Sequence, residues 1–172
     1  RGVINKERME IFDEEDFIQD IVAEIGKVKN NRIPLEEFVS EKCSADAFRN
    51  IYRNYEQHRK ELKKIDFDDM LVLCYELFRS RPDVLAQWQK KFRYVLIDEF
   101  QDINRIQYDV IRMLAQPENN LFVVGDDDQA IYGFRGADSE LMLGFGKDFP
   151  NAKQILLGMN YRSTANIVQN SL

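Results

Sequence analysis

Three short apolar runs constrain this chain most: Tyr94-Val95-Leu96-Ile97, Leu121-Phe122-Val123-Val124 and Ile155-Leu156-Leu157. The first ends in Asp98-Glu99, the second in Gly125-Asp126 and the third in Gly158. None alternates apolar with polar residues. Unbroken runs of this length suit strands covered on both faces, as in a parallel sheet. Parallel neighbours need long crossovers, and the stretches between the runs are long enough to hold helices. Ile106, Val110, Ile111 and Leu114 mark one crossover helix, and Leu141 to Phe149 contain the other. The second half of the chain therefore reads as α/β with a short parallel sheet.

The first 92 residues read as helices instead. Phe17, Ile18, Ile21, Val22, Ile25 and Val28 recur at three- and four-residue spacing, after a start supplied by Asp13 and Asp16. Pro34 suits the first position of a short helix over Leu35 to Lys42. Ser44 caps a third helix with Phe48, Ile51, Tyr52, Tyr55 and Leu62 on its apolar stripe. Asp66 opens a fourth, whose buried side is expected to carry Phe67, Met70, Leu71, Cys74, Leu77 and Phe78. A fifth runs from Pro82 to about Lys91.

Composition narrows the function. Two cysteines and one histidine exclude a disulfide framework, a four-cysteine zinc site and any multi-histidine metal site. No stretch is long and apolar enough to span a membrane and no signal peptide is visible, so no membrane partner and a cytoplasmic location are expected. Residues 94–172 carry 6 Lys/Arg against 11 Asp/Glu. A general basic field for nucleic acid is missing, so any contact with DNA or nucleotide must use a few placed residues. Arg49, Arg53, Arg59, Lys60, Lys63 and Lys64 are interrupted by Glu56 and Glu61, and read as a solvated helix face.

The chemistry sits at the three run ends, where open parallel sheets place ligands. An apolar strand delivering Asp98 then Glu99 is a Walker B arrangement, in which the Asp holds Mg²⁺ and the Glu orients an attacking water. The same acids would also suit the start of the following helix. The second run leads into Asp126-Asp127-Asp128-Gln129 and then Tyr132, Phe134 and Arg135. Aromatic rings beside a cation are the mix used on single-stranded nucleic acid, though Phe134 alone reads as a core residue. The third leads into Asn160-Tyr161-Arg162-Ser163, where a ring could stack on a base and a guanidinium could pair with phosphate.

Taken together, VLIDEFQD, VVGDDDQAIYGFRGA and LGMNYRS, in that order, resemble the ATP-binding motor domain of superfamily 1 DNA helicases of the UvrD/Rep/PcrA type. The upstream segments IGKVKNNRI and IDFDDMLVLCYELF resemble that family's helical insert and its return to the motor core. The resemblance implies a partial RecA-like P-loop NTPase core preceded by an all-helical insert. Residues 1–65 would belong to the insert, 66–160 to the motor core and 161–172 to the connection toward a second motor domain. It also implies ATP and Mg²⁺ as cofactors, and single-stranded DNA and its junctions with duplex as partners. Asp98 would hold the metal and Glu99 would act as base. Gln129 would sense the γ-phosphate, Tyr161 would stack on adenine and Arg162 would reach the γ-phosphate. Tyr132, Phe134 and Arg135 would face single-stranded DNA, with Phe134 standing where some members carry Trp.

The phosphate-cradling pattern G-x-x-x-x-G-K-[ST] does not occur here: Gly26-Lys27 and Gly146-Lys147 lack the earlier Gly and the following hydroxyl. The chain is accordingly expected to be an internal slice of a longer helicase, inactive alone, whose unpaired strand edges favour self-association. Two other readings share these residues: a magnesium-dependent hydrolase built on Asp98, Glu99, Asp126, Asp127 and Asp128, and a nucleic-acid or protein interaction module without ATPase activity.

Overall fold

A computed structural model describes residues 14–130, 137–138 and 140–171. Four helices come first: α1 (Glu14–Asn30), α2 (Ala45–Glu61), α3 (Phe67–Ser80) and α4 (Pro82–Lys91). Strand β1 (Val95–Ile97), helix α5 (Arg105–Ala115) and strand β2 (Leu121–Val123) then form one β–α–β unit, with β1 and β2 parallel and Val95, Leu96 and Ile97 opposite Leu121, Phe122 and Val123. Short helices α6 (Glu140–Leu143) and α7 (Phe145–Asp148) follow, split at Gly144, and α8 (Ala165–Ser171) ends the described chain.

Most expected helices form where the caps place them. Ser44 accepts the Ala47 N–H at the start of α2. Asp66 and Asp69 cap each other's backbone at the start of α3, and Asn104 and Gln107 do the same for α5, each pair satisfying two donors that a helix start leaves open. Residues 35–42 depart from expectation: one turn forms after Pro34 and stops. The N–H groups that would continue a helix go elsewhere, Glu41 to the Glu24 carboxylate and Lys42 and Cys43 to the Ser40 hydroxyl. Leu62 is the C-cap of α2 and is exposed. On α3 the packed side is Leu71, Cys74, Tyr75 and Phe78, while Phe67, Met70 and Leu77 face outward.

The third apolar run is also corrected. Residues 155–157 form no strand, and Leu156 is 91 % exposed. A strand is held by its partner, and the described residues bring none to this segment. The two strands that form are covered on one face only, with Leu96 and Phe122 exposed on the other.

Two cores result. Ile21, Ile25 and Val28 of α1 pack on Phe48 and Ile51 of α2, with Phe38 against the Phe48 ring at 4.8 Å. Phe100, Ile103 and Tyr108 pack with Leu141 beneath the sheet, flanked by Ile97, Val123 and Phe145. Polar contacts join the helical block to the rest. The Lys29 ammonium, its side chain 3 % exposed, lies 2.7 Å from Asp66, 3.0 Å from Asp69 and 3.0 Å from Glu56. Arg59 closes the cluster against Glu56 and Asp69, so this cation is not on a solvated face. Tyr55 donates its hydroxyl to Asp66. Arg32 lies over the Tyr75 ring on α3 and pairs with Asp109 on α5 at 2.6 Å.

Burial alone would raise the Asp66 carboxyl. Hydrogen bonds from Lys29, Tyr55 and the Asp69 amide, with the Lys29 charge, outweigh it and hold the group at about 2 against an ordinary 3.8. A carboxyl lowered on folding contributes stability that is complete above its unfolded value and disappears as pH falls through the folded one. Stability of the helical block should therefore decline between pH 3.8 and about 2, a loss that urea titrations at stepped pH will record and that Asp66→Asn should blunt. Lys29→Met leaves buried carboxylates without their cation and should cost about 3–5 kcal/mol. An unfolding midpoint unchanged by Lys29→Met would remove the cluster from the interactions that hold α1 to α3.

Candidate functional site

The site forms where β1 and β2 end side by side. Pairing continues one step past both strands: Val124 donates its N–H to the Ile97 carbonyl, and Phe100 donates to the Val124 carbonyl. Between those bonds the chain must turn sharply, and the Phe100 ring supplies the anchor. It is fully buried, with edge-on contacts to Tyr108 at 5.9 Å and Phe145 at 5.5 Å. Drawing Phe100 inward leaves Asp98 and Glu99 exposed at the sheet's carboxyl end.

Glu99 occupies the left-handed region, φ 50° and ψ 45°. That conformation costs a non-glycine residue about 1–2 kcal/mol, and it persists only where surrounding contacts hold it. Three contacts do so here. The Asp98 carboxylate accepts the Glu99 N–H at 3.0 Å, the Glu99 carbonyl accepts from Asp102, and the Glu99 carboxylate accepts from the Gln101 amide at 2.7 Å.

From β2 the chain reaches Gly125 and a single turn over Asp127–Gln129. Asp126 caps that turn by accepting the Asp128 N–H at 3.1 Å, and its other oxygen accepts from the Gln129 side chain. Gly125 is required by proximity: a Cβ there would lie 2.6 Å from the Gln101 side-chain oxygen, 3.1 Å from the Met142 sulfur and 3.2 Å from the Gln101 backbone nitrogen.

The structure thus brings Asp98, Glu99 and Gln129 to one end of one sheet. Tyr161 and Arg162 lie on a segment held locally, where the Asn160 side chain accepts the Arg162 and Ser163 N–H groups at 2.9 Å each. Tyr161 is 90 % exposed, and the Arg162 guanidinium has no hydrogen bond or ion pair among the described residues. Tyr132, Phe134 and Arg135 lie outside the described residues. Gln101 and Lys29 both stand in segments with a family resemblance, VLIDEFQD and IGKVKNNRI, and the sequence alone assigns neither a role. The signal for Lys29 was present: it falls four residues after Ile25 and eight after Ile21, on the apolar face of α1, where a cation needs buried partners.

Chemically, the sheet end gathers carboxylate oxygens. Such hard donors suit Mg²⁺, which binds through one or two carboxylates while waters and phosphates complete its coordination. Among the described residues no group of three His, Cys, Asp or Glu side chains could hold a metal by itself.

Residues 3–150 match the family described as the UvrD/REP helicase N-terminal domain. The chain is 48 % identical over 162 residues to YjcD of Bacillus subtilis (strain 168), covering 94 % of this chain and 21 % of that protein. It is 43 % identical over 152 residues to the ATP-dependent DNA helicase PcrA of Leuconostoc citreum, covering 86 % of this chain and 20 % of the relative. The corresponding figures for PcrA of Bacillus subtilis (strain 168) are 41 %, 153 residues, 88 % and 21 %. The chain spans about a fifth of the length of the curated relatives it matches.

The contact between Gly125 and Gln101 gives a direct test of the site's packing. Gly125→Ala should displace Gln101 or the strand end and cost about 1–3 kcal/mol, the range for an added methyl in a filled space. A denaturant midpoint equal to the parent's would mean that Gln101 yields freely.

Proposed function

The chain belongs to the UvrD/REP helicase N-terminal domain family, and from that premise we propose that it is part of an ATP-dependent DNA helicase that couples ATP hydrolysis to movement along single-stranded DNA and to duplex unwinding. The observation that carries this reading is the parallel pair β1 and β2, which sets Asp98 and Glu99 beside Asp126 and Gln129 at one carboxyl end. Open parallel sheets take their ligands at the carboxyl ends of the strands, which supports this reading.

In this proposal residues 1–65 form part of the helical insert, 66–160 part of the motor core and 161–172 the start of a connection to a second motor domain. Asp98 would hold magnesium, which would neutralise phosphate charge, and Glu99 would orient the attacking water. Gln129 faces the γ-phosphate, while Tyr161 stacks on adenine and Arg162 pairs with the γ-phosphate. Tyr132, Phe134 and Arg135 meet single-stranded DNA, including its junction with duplex. The setting is cytoplasmic. The isolated piece self-associates through its free strand edges, since unpaired N–H and C=O rows seek partners.

What these residues can do without a phosphate cradle is limited. Phosphoryl transfer depends on positioning and on neutralising charge. The site's own side chains are acids, which repel a triphosphate unless a cation and backbone N–H donors offset them. No observation favours the metal-caged hydrolase, whose three-donor set is missing among the described residues, or the interaction module.

Steady-state ATPase measurements with and without single-stranded DNA test the proposal. The 172-residue chain alone should show no magnesium-dependent turnover. The full-length protein should hydrolyse ATP, and Glu99→Gln should lower that turnover by about 10²–10⁴-fold, the usual contribution of a positioned general base. Full-length turnover that survives Glu99→Gln would overturn the assignment of Glu99.

A further inference from the structure

Six polar or charged side chains are buried among the described residues: Glu24, Lys29, Asn30, Asp69, Gln101 and Asn104. Five serve the helical scaffold. Glu24 takes the Ser40 hydroxyl and the Glu41 N–H, Lys29 and Asp69 belong to the ion cluster, Asn30 donates to Asp68, and Asn104 caps α5. Gln101 differs, because both ends of its amide are spent on the candidate site. It is 2 % exposed, its nitrogen donates to the Glu99 carboxylate at 2.7 Å, and its oxygen accepts the Asp126 N–H at 3.0 Å.

We infer that Gln101 is a positioning residue for ATP hydrolysis, fixing the Glu99 carboxylate and linking it mechanically to the loop that carries Gln129. The inference rests on the helicase reading, in which Glu99 meets the attacking water.

The amide has one workable orientation. The Glu99 carboxylate only accepts and the Asp126 N–H only donates, so turning the amide over would set oxygen against oxygen and N–H against N–H. A side chain with a donor at one end and an acceptor at the other is therefore needed, and its length must match the gap. The absence of a Cβ at Gly125 lets the Gln101 oxygen come close enough to reach the Asp126 N–H. Asp126 in turn holds the Asp128 N–H and the Gln129 side chain. The result is a continuous line, Glu99 to Gln101 to Asp126 to Gln129, crossing from the end of β1 to the loop after β2. Movement of the Gln129 loop cannot leave the Glu99 carboxylate where it was unless a bond in that line breaks. Gln101 also helps to hold Glu99 in its left-handed turn. Substrate contact is not part of this role, since the side chain is closed off from solvent.

The test uses the full-length protein and compares Gln101→Leu, Gln101→Glu and Glu99→Gln. Gln101→Leu keeps the bulk and removes both bonds. Gln101→Glu keeps the acceptor for Asp126 and places a second carboxylate against Glu99. Both should lower kcat for ATP by about 10–100-fold, the range found when hydrogen-bond partners that orient the ligands of a metal site are removed. KM for ATP should stay within about threefold, and stimulation of turnover by single-stranded DNA should fall, because the Gln129 loop has lost its link to Glu99. Thermal unfolding of each variant gives the folded fraction. A parent-like kcat in both variants overturns the inference. So does a fall in kcat that matches the loss of folded protein, or a change confined to KM, since the first assigns Gln101 to packing and the second to ground-state binding. Glu99→Gln separates the two levels: full turnover there removes the premise, whereas a dead Glu99→Gln beside active Gln101 variants removes only the role given to Gln101.

Discussion

One buried ammonium organises the helical half of the molecule. Lys29 sits at the end of α1 and meets carboxylates from α2 and α3 within 3.0 Å, which fixes three helices at one point. Hydrophobic contact alone would let α1 and α3 slide, since apolar surfaces are indifferent to register. A cation removed from water tolerates no such freedom: its desolvation is offset only when each carboxylate stands in place. The same two carboxylates of α3 close its capping box, so the ion cluster and the helix start are one structure. Arg32 extends the grip to α3 and α5 through Tyr75 and Asp109. Because α5 is the crossover between the two strands, polar contacts at the end of α1 help to set where the sheet lies.

The sheet end obeys a different constraint. Two parallel strands of three residues make few ladder bonds, and they are held by what lies beneath them: Phe100, Ile103, Tyr108 and Leu141. Phe100 is the residue on which the site turns. Its buried ring forces the chain back under the sheet directly after the strand, and the left-handed Glu99 is the geometric consequence. An exposed carboxylate on a strained backbone is held in a defined direction, which a surface Glu on a relaxed helix is not. Acids massed at this end make it hostile to a bare polyphosphate and receptive to one that carries a divalent cation.

Much of this was legible in the sequence, for identifiable reasons. Strands β1 and β2 and helix α5 were visible because unbroken apolar runs and a helical stripe report burial directly. Helices α2, α3 and α4 were visible because Ser44, Asp66 and Pro82 are start signals that act locally. The misreadings share one cause, since each depended on a partner that local pattern does not reveal. Pro34 opens a turn, but Glu24, ten residues earlier, and Ser40 take the N–H groups a helix would need. Ile155 to Leu157 is as apolar as β2, yet stays unpaired among the described residues. Phe67, Met70 and Leu77 share a helix with Phe78, but only the side with Leu71, Cys74 and Phe78 meets its neighbours. At the site, the acids stood out by type, while Gln101 was hidden because an amide carries no charge to mark it. Its importance comes from being buried between two partners, Glu99 and Asp126, the second of them 25 residues further along the chain.

The two halves of the molecule also differ in how self-contained they are. Around Lys29 the charges are paired among α1, α2 and α3, and Phe48 and Ile51 are buried against α1. The sheet leaves Leu96 and Phe122 bare, and the exposed run from Ile155 to Met159 offers apolar residues with no surface to cover. Exposed apolar area of that kind is costly in water and is characteristic of surfaces that meet other protein. The chain covers about a fifth of its relatives' length. The turn of Asp98 and Glu99 is held by the buried Phe100 ring, the two backbone bonds to Val124 and the Gln101 amide. The direction of the acidic side chains is thus built locally, by one buried ring, two backbone bonds and one buried amide.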